Sequence, residues 1–267
     1  MNRLRTNLRG AALAFAAMLG VAVAAPATAS ASAAPSSVCS GGSVAAGTYR
    51  TLAIEGVCAL DSGNVRVIAD LTVRSGGALL AAFGGSEITV QGDVVVRSGG
   101  ILVLGCEPEA FVCFNDPDQT VGTMVTDDHI AGSLVATNAL MVLAHHNHIT
   151  GGVSQSGGGG GVNCSTFPLG PDGPPAYSDY EDNAIGRGAT VVGLQTCWLG
   201  FIRNNVRGNV VYSNNILADP DANEVVTNTI KGNLICTGNK PAAQIGDSGG
   251  SLNVVGGSAF GQCRSLV

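Results

Sequence analysis

Between Asn204 and Val210 the chain sets Asn204, Val206, Gly208 and Val210 at every second position, and 24 positions later the same frame returns as Asn228, Ile230, Gly232 and Leu234. A spacing of two is the spacing of a strand, whose successive side chains point to opposite faces. The frame also reads at Asp128, Ile130, Gly132, Leu134, at Asn147, Ile149, Gly151, Val153 and at Asn253, Val255, Gly257, with a weaker copy from Asn183 and Ile185. The steps between successive starts are 19, 36, 21, 24 and 25 residues. The long step contains SQSGGGGGVNCSTFPLGPDGPPAYSDYED, residues 154–182, whose glycines and prolines mark an inserted loop.

The N-terminal half repeats in a second dialect. LTVRSGGALL from Leu71 and VVVRSGGILVL from Val94 place Arg74-Ser75-Gly76-Gly77 against Arg97-Ser98-Gly99-Gly100 at a step of 23. Units of 19–25 residues, built from short alternating strands and Gly/Asn turns without helical stretches, predict a β-solenoid. We read an all-β fold, a single right-handed parallel β-helix. Each coil is too thin to bury its apolar face alone, so Ile130, Ile149, Val206, Ile230 and Val255 are expected to stack at about 4.8 Å from coil to coil in one core. The asparagines are expected to form a structural ladder along the stack, bonding through their amides and tolerating a left-handed backbone.

Three basic residues, Arg3, Arg5 and Arg9, precede the apolar run AALAFAAMLGVAVAA and several Ala-x-Ala cleavage options, the pattern of a secretory signal peptide over about residues 1–34. The run is short for a membrane span, and Ser36-Ser37-Val38 before Cys39 does not fit a lipoprotein anchor. Residues 35–60 are read as an N-terminal cap and 61–267 as the solenoid. All eight cysteines follow the leader, which predicts disulfides in an exported chain. Neighbouring coils bring near neighbours together, so the expected pairs are Cys39–Cys58, Cys106–Cys113, Cys164–Cys197 and Cys236–Cys263. No CxxC pair is present, and no cysteine metal site is expected.

Removing the leader arginines leaves 10 basic against 19 acidic residues, which excludes a nucleic-acid binder. Candidate chemistry sits in the rows flanking the ladder. The row before it carries Asp127, His146, Asp182, Arg203 and Thr227, and the row after it carries His129, His148, Ala184, Asn205 and Thr229. Both rows are expected to face outward or line the turn. In this register Asp127 and Asp182 straddle His146 at about 9–10 Å, near the upper end of the carboxylate separation of inverting glycosidases. Arg203 would hold an acidic sugar or raise the acidity of a neighbouring group, and the plain alternative is a polar outer face in which these Asp, His and Arg side chains pair with one another. Tyr177 and Tyr180, the clustered aromatics of the insertion, are candidates for stacking on a sugar ring. Two Asp-Pro-Asp segments, Asp116–Asp118 and Asp219–Asp221 with Glu224 nearby, offer carboxylates to Ca2+ or serve as solvated turns.

Coils of this kind resemble those of the pectin-degrading right-handed β-helix enzymes. Polygalacturonases among them carry an Asp-Asp pair, then Ser-His-Gly, then Arg-Ile-Lys. Here Asp127-Asp128, His146-Asn147-His148-Ile149 and Thr229-Ile230-Lys231 follow in that order. The His-Gly dipeptide is absent, the arginine is a threonine and the upstream Asn-Thr-Asp is missing. The resemblance therefore implies the fold over residues 60–260 and not the activity. The expectation is an exported, non-catalytic β-helix that contacts carbohydrate or another envelope component. The alternative is a small polysaccharide hydrolase or lyase using Asp127, His146, Asp182 and Arg203.

Overall fold

The structure is a computed structural model that describes residues 34–60, 63–81, 86–105 and 128–267. Among these the chain winds as a parallel β-helix: three parallel sheets of ten, eight and nine strands, each built from one short strand per coil in sequence order. A residue near Ser37 opens the ten-stranded sheet, one near Gly42 the eight-stranded and one near Gly47 the nine-stranded. Of the described residues only Gln262–Ser265 form a helix, a single 3-10 turn, and no helix is long and apolar enough to cross a membrane.

Strand alternation becomes columns once coils stack. In the ten-stranded sheet Leu52, Leu71, Val94, Leu134, Val153, Ala189, Val210 and Leu234 lie one above another, all buried. In the nine-stranded sheet the expected stack is found: Val67, Val90, Ile130, Ile149, Ile185, Val206, Ile230 and Val255 share one column. Each side chain buries its surface between the coil above and the coil below, at about 25 cal/mol per Å². The core is therefore one continuous cylinder.

The neighbouring column changes chemistry along its length. It runs Gly47, Val65, Ile88 and then, at the register position of Ile88, Asp128 and Asn147. Asp128 Oδ1 accepts the Ile88 N–H at 3.0 Å. From Asn147 onward the ladder is continuous. Both the backbone N–H and the side-chain amide of Asn147 donate to Asn183 Oδ1, Asn183 does the same to Asn204, Asn204 to Asn228 and Asn228 to Asn253, at 2.8–3.1 Å. Each amide also donates inward to a strand-end carbonyl, Asn204 to Tyr180 and Asn228 to Phe201 for example. These asparagines are buried, and, apart from Asn147 Oδ1, which has no hydrogen-bond partner among the described residues, the ladder supplies the partners that burial demands.

The left-handed residue is not the asparagine. It is the one before it: His146, Asp182, Arg203 and Thr227 have φ between 53° and 59°. The reason is the ladder itself, because an asparagine whose own N–H must point along the stack has to be extended, so the bend falls on its predecessor. A non-glycine residue bent this way costs roughly 1–2 kcal/mol, which the surrounding bonds offset.

A second amide ladder runs through the corner between the ten- and eight-stranded sheets. Asn215 N–H donates to Asn239 Oδ1 and Asn239 N–H to Gln262 Oε1, both at 3.1 Å. Disulfides Cys39–Cys58, Cys164–Cys197 and Cys236–Cys263 form as expected, while Cys106 and Cys113 lie outside the described residues. Strands Val153–Ser156 and Ser178–Glu181 belong to the regular coil, so the insertion proper is 157–177. Gly157 to Gly161 open it with five successive positive φ values, which only glycine adopts freely. Cys164 then ties it to the body. Its Leu169 and Tyr177 pack on an outward apolar cluster of Ala78, Ile101, Val103, Met141 and Leu143.

Candidate functional site

The outer face of the eight-stranded sheet turns polar at the strand that follows the insertion. One outward column reads Leu80, Val103, Leu143 and then Asp179, Gly200 and Glu224. The next reads His145, Glu181, Ile202 and Val226. The strand alternation that buries Ser178 and Tyr180 inward thus points Asp179 and Glu181 out beside His145, and the bend that follows each strand carries His146, Asp182 and Arg203.

Six titratable groups meet there. His145 Nε2 lies 3.4 Å from Asp179 Oδ2, and His145 Nδ1 lies 3.5 Å from Glu181 Oε2. Arg203 joins Glu181 through Nη2, and grips both oxygens of Asp182, Nε to Oδ1 and Nη2 to Oδ2 at 2.9 Å. His146 Nε2 stands 3.6 Å from Asp182 Oδ2. The cluster is mostly shielded from water: the His145 side chain is 2% exposed, Asp179 3% and His146 5%. Burial, reinforced by the charges of His146 and Arg203, pulls His145 down to about 3. Burial pushes the Asp182 carboxyl up to about 7 and draws Arg203 below its usual range, with Asp179 opposing the latter.

The expected candidates fall into three groups. His146, Asp182 and Arg203 are brought together, but as a partly buried, mutually bonded corner and not as an open outer row. Asp127 lies outside the described residues, as do Asp116–Asp118. Tyr180 is inside the core, its hydroxyl donating to Gln155 Oε1 at 2.7 Å, and offers no ring face to a ligand. It is inward because the strand Ser178–Glu181 continues the coil, where sequence reading saw only a loop. Tyr177 is half-buried, its ring set edge-on to Trp198 with the centroids 6.0 Å apart. Asp219 accepts the Asp221 N–H within its own turn, and Glu224 turns away to accept from Trp198 Nε1 at 3.2 Å and from the Ser248 N–H at 3.3 Å. These carboxylates do not converge on a calcium site.

His129, His148 and Asn205 are exposed, on one outward column of the nine-stranded sheet that runs Thr89, His129, His148, Ala184, Asn205 and Thr229. The His129 and His148 rings lie 5.2 Å apart. Small residues at Ala184 and Gly186 leave a groove of about 370 Å3 between His148 and Thr150 on one side and Asn205 and Arg207 on the other, with Arg187 on its rim. A more open depression of about 590 Å3 lies on the ten-stranded sheet beside Arg74 and Arg97, but Arg74 is already paired with Glu55.

Comparisons with protein families, curated proteins and solved structures give no match to the chain. The fold rests on its own geometry. Sequence reading missed His145, Asp179 and Glu181 as a group, although the alternation Ser178, Asp179, Tyr180, Glu181 was the signal. It also missed Trp198 with Glu224, whose proximity depends on a coil step that the frame alone does not mark.

Proposed function

We propose that the chain is an exported member of the right-handed, pectin-lyase-like β-helix superfamily that binds an anionic polysaccharide without cleaving it. The carrying observation is the groove over Ala184 and Gly186. It joins two guanidiniums, Arg187 and Arg207, with the imidazole of His148 and the amide of Asn205 in a chain whose mature net charge is strongly negative. Guanidinium forks match carboxylates and sulfates bidentately, and amide and imidazole groups bond sugar hydroxyls. Small floor residues leave the room that a sugar ring needs. A signal-like leader and the three described disulfides support an oxidising, exported setting. A hydrolase or lyase built on Asp127, His146, Asp182 and Arg203 would need a free carboxylate, and Asp182 is held through both oxygens by Arg203.

Affinity electrophoresis of the mature chain in acidic and neutral polysaccharides tests this reading, run beside assays for reducing ends and unsaturated products. Retardation by an acidic glycan, lost in Arg187→Ala/Arg207→Ala at unchanged melting temperature and without product formation, is the expected result. Cleavage that vanishes in Asp182→Asn would replace the proposal with the enzyme.

A further inference from the structure

The cations of the groove belong to a longer row. The corner where the nine-stranded sheet passes into the ten-stranded one is built on successive coils from NAIGRG, NNVRGN and NTIKGN, starting at Asn183, Asn204 and Asn228. Val206 pairs with Ile230, so Arg207 and Lys231, which follow them, share one column, while Arg187 stands one place further along the turn of the preceding coil. All three are exposed, and among the described residues none is in an ion pair. None of the three segments carries an acidic residue, in a chain that has 19. Lys231 is not part of the groove itself.

The residues that staple this corner together spare those charges. In the early coils the stacking bonds are accepted by carboxylates: Asp70 Oδ1 takes the Asp93 N–H and Asp93 Oδ1 the Ser133 N–H. Beside Arg207 and Lys231 the same bonds are accepted by amides, Asn209 Oδ1 from the Asn233 N–H and Asn233 Oδ1 from the Ser258 N–H. A carboxylate there would neutralise the adjacent cation; an amide makes the bond and leaves the charge for a ligand. Only one direction extends the row. Along the solenoid axis the preceding coils bring exposed His148 and His129, on the column of Ala184 and Asn205. Across the axis, the ten-stranded sheet presents uncharged Thr190 and Val211, and the opposite corner presents Glu181 and Asp182, already held by Arg203.

The geometry points to a linear polyanion laid along the solenoid axis, with an acidic group on every unit, that meets Arg187, Arg207 and Lys231 on three successive coils and reaches His148 and His129 beyond them. This rests on the reading of the groove as a site for an anionic polysaccharide, and adds to it a direction, a charge spacing and Lys231 as a further binding residue. Coils rise by about 4.8 Å, close to the length of one sugar in an extended chain. Charges on every sugar keep pace with that rise, whereas charges on every second sugar leave alternate cations unanswered. Each contact is exposed and weak alone, so affinity comes from their number.

The test titrates the mature chain with β-mannuronate oligomers of increasing length and with hyaluronate, whose carboxylates fall on every second sugar. Affinity for the oligomers is expected to rise with length up to about five units, one for each coil from His129 to Lys231, and hyaluronate of equal length is expected to bind several-fold less tightly. Lys231→Ala should weaken binding of the long oligomers by about 5-fold, the worth of one exposed ion pair, at unchanged melting temperature, and leave the disaccharide as it was. Arg264→Ala, which removes an exposed cation from the C-terminal 3-10 turn, should change nothing. Affinity that stops rising at the disaccharide, hyaluronate held as tightly as mannuronate, or equal effects of Lys231→Ala and Arg264→Ala overturns the axial arrangement and leaves the groove reading in place. Failure of the wild type to bind any acidic glycan ends both.

Discussion

The coils before residue 105 and those after residue 128 share one backbone path and differ in what fills it. In the first region the column beside the main stack is Val65 and Ile88, and the outward column of the eight-stranded sheet is Leu80 and Val103. In the second the inner column becomes Asp128 and five asparagines, and the outer one becomes Asp179, Gly200 and Glu224. Dispersion and directional hydrogen bonds are thus interchangeable ways of stacking a coil. They are not interchangeable in consequence: the apolar columns supply stability alone, whereas the polar ones also place charged groups at fixed heights.

The sharpest way to break this comparison is to treat both columns alike. Asn204→Ala strips the Tyr180 carbonyl of its side-chain donor and both the backbone and side-chain amides of Asn183 of their acceptor, leaving Asn228 Oδ1 only the Asn204 N–H, and is expected to cost about 4 kcal/mol in urea denaturation. Next in size is Arg203→Leu, which leaves Asp182 and Glu181 without their cation and should cost about 3 kcal/mol. Ile88→Val, in the apolar part of the same column, removes one methylene and should cost only about 1 kcal/mol. Equal losses for Asn204→Ala and Ile88→Val would show that the ladder is packing in another guise.

The smallest effect sharpens the outer column. Burial raises the Glu224 carboxyl above its usual 4.5, against hydrogen bonds from Ser248 and Trp198. A carboxyl raised on folding stabilises the fold fully below about pH 4.5, and that contribution is lost as pH rises through the raised value. Glu224→Gln keeps the acceptor for Trp198 and removes the titration, so its stability should fall less than that of wild type over that interval. Melting temperatures across pH read the difference directly.

Most of the fold was legible because it is periodic. The apolar step of two, the Asn204/Asn228 frame and the cysteine neighbours each described a single coil, and stacking repeats it. What was not legible lay where the period is interrupted. The strand Ser178–Glu181 sits at the end of a glycine-rich insertion, so Tyr180 read as an exposed aromatic and Asp179 with Glu181 as loop charges. The bend at His146, Asp182 and Arg203 was assigned one residue late, since spacing alone does not say whether an asparagine bonds along the stack or turns the chain. The second ladder, Asn215 and Asn239, had the same 24-residue step but a glycine or asparagine before it, and read as ordinary turn composition.

The 36-residue coil has a further meaning. Asn147 reaches Asn183 at 3.0 Å across 36 residues, and Asn183 reaches Asn204 at the same 3.0 Å across 21. The column does not register how much chain has passed between its rungs, only that the chain returns to the next height. The corner after Ser156 therefore behaves as a socket. Sequences of different length and character can be exchanged there while the rungs on either side stay in place, and decoration of one face can diversify without renegotiating the scaffold that carries it.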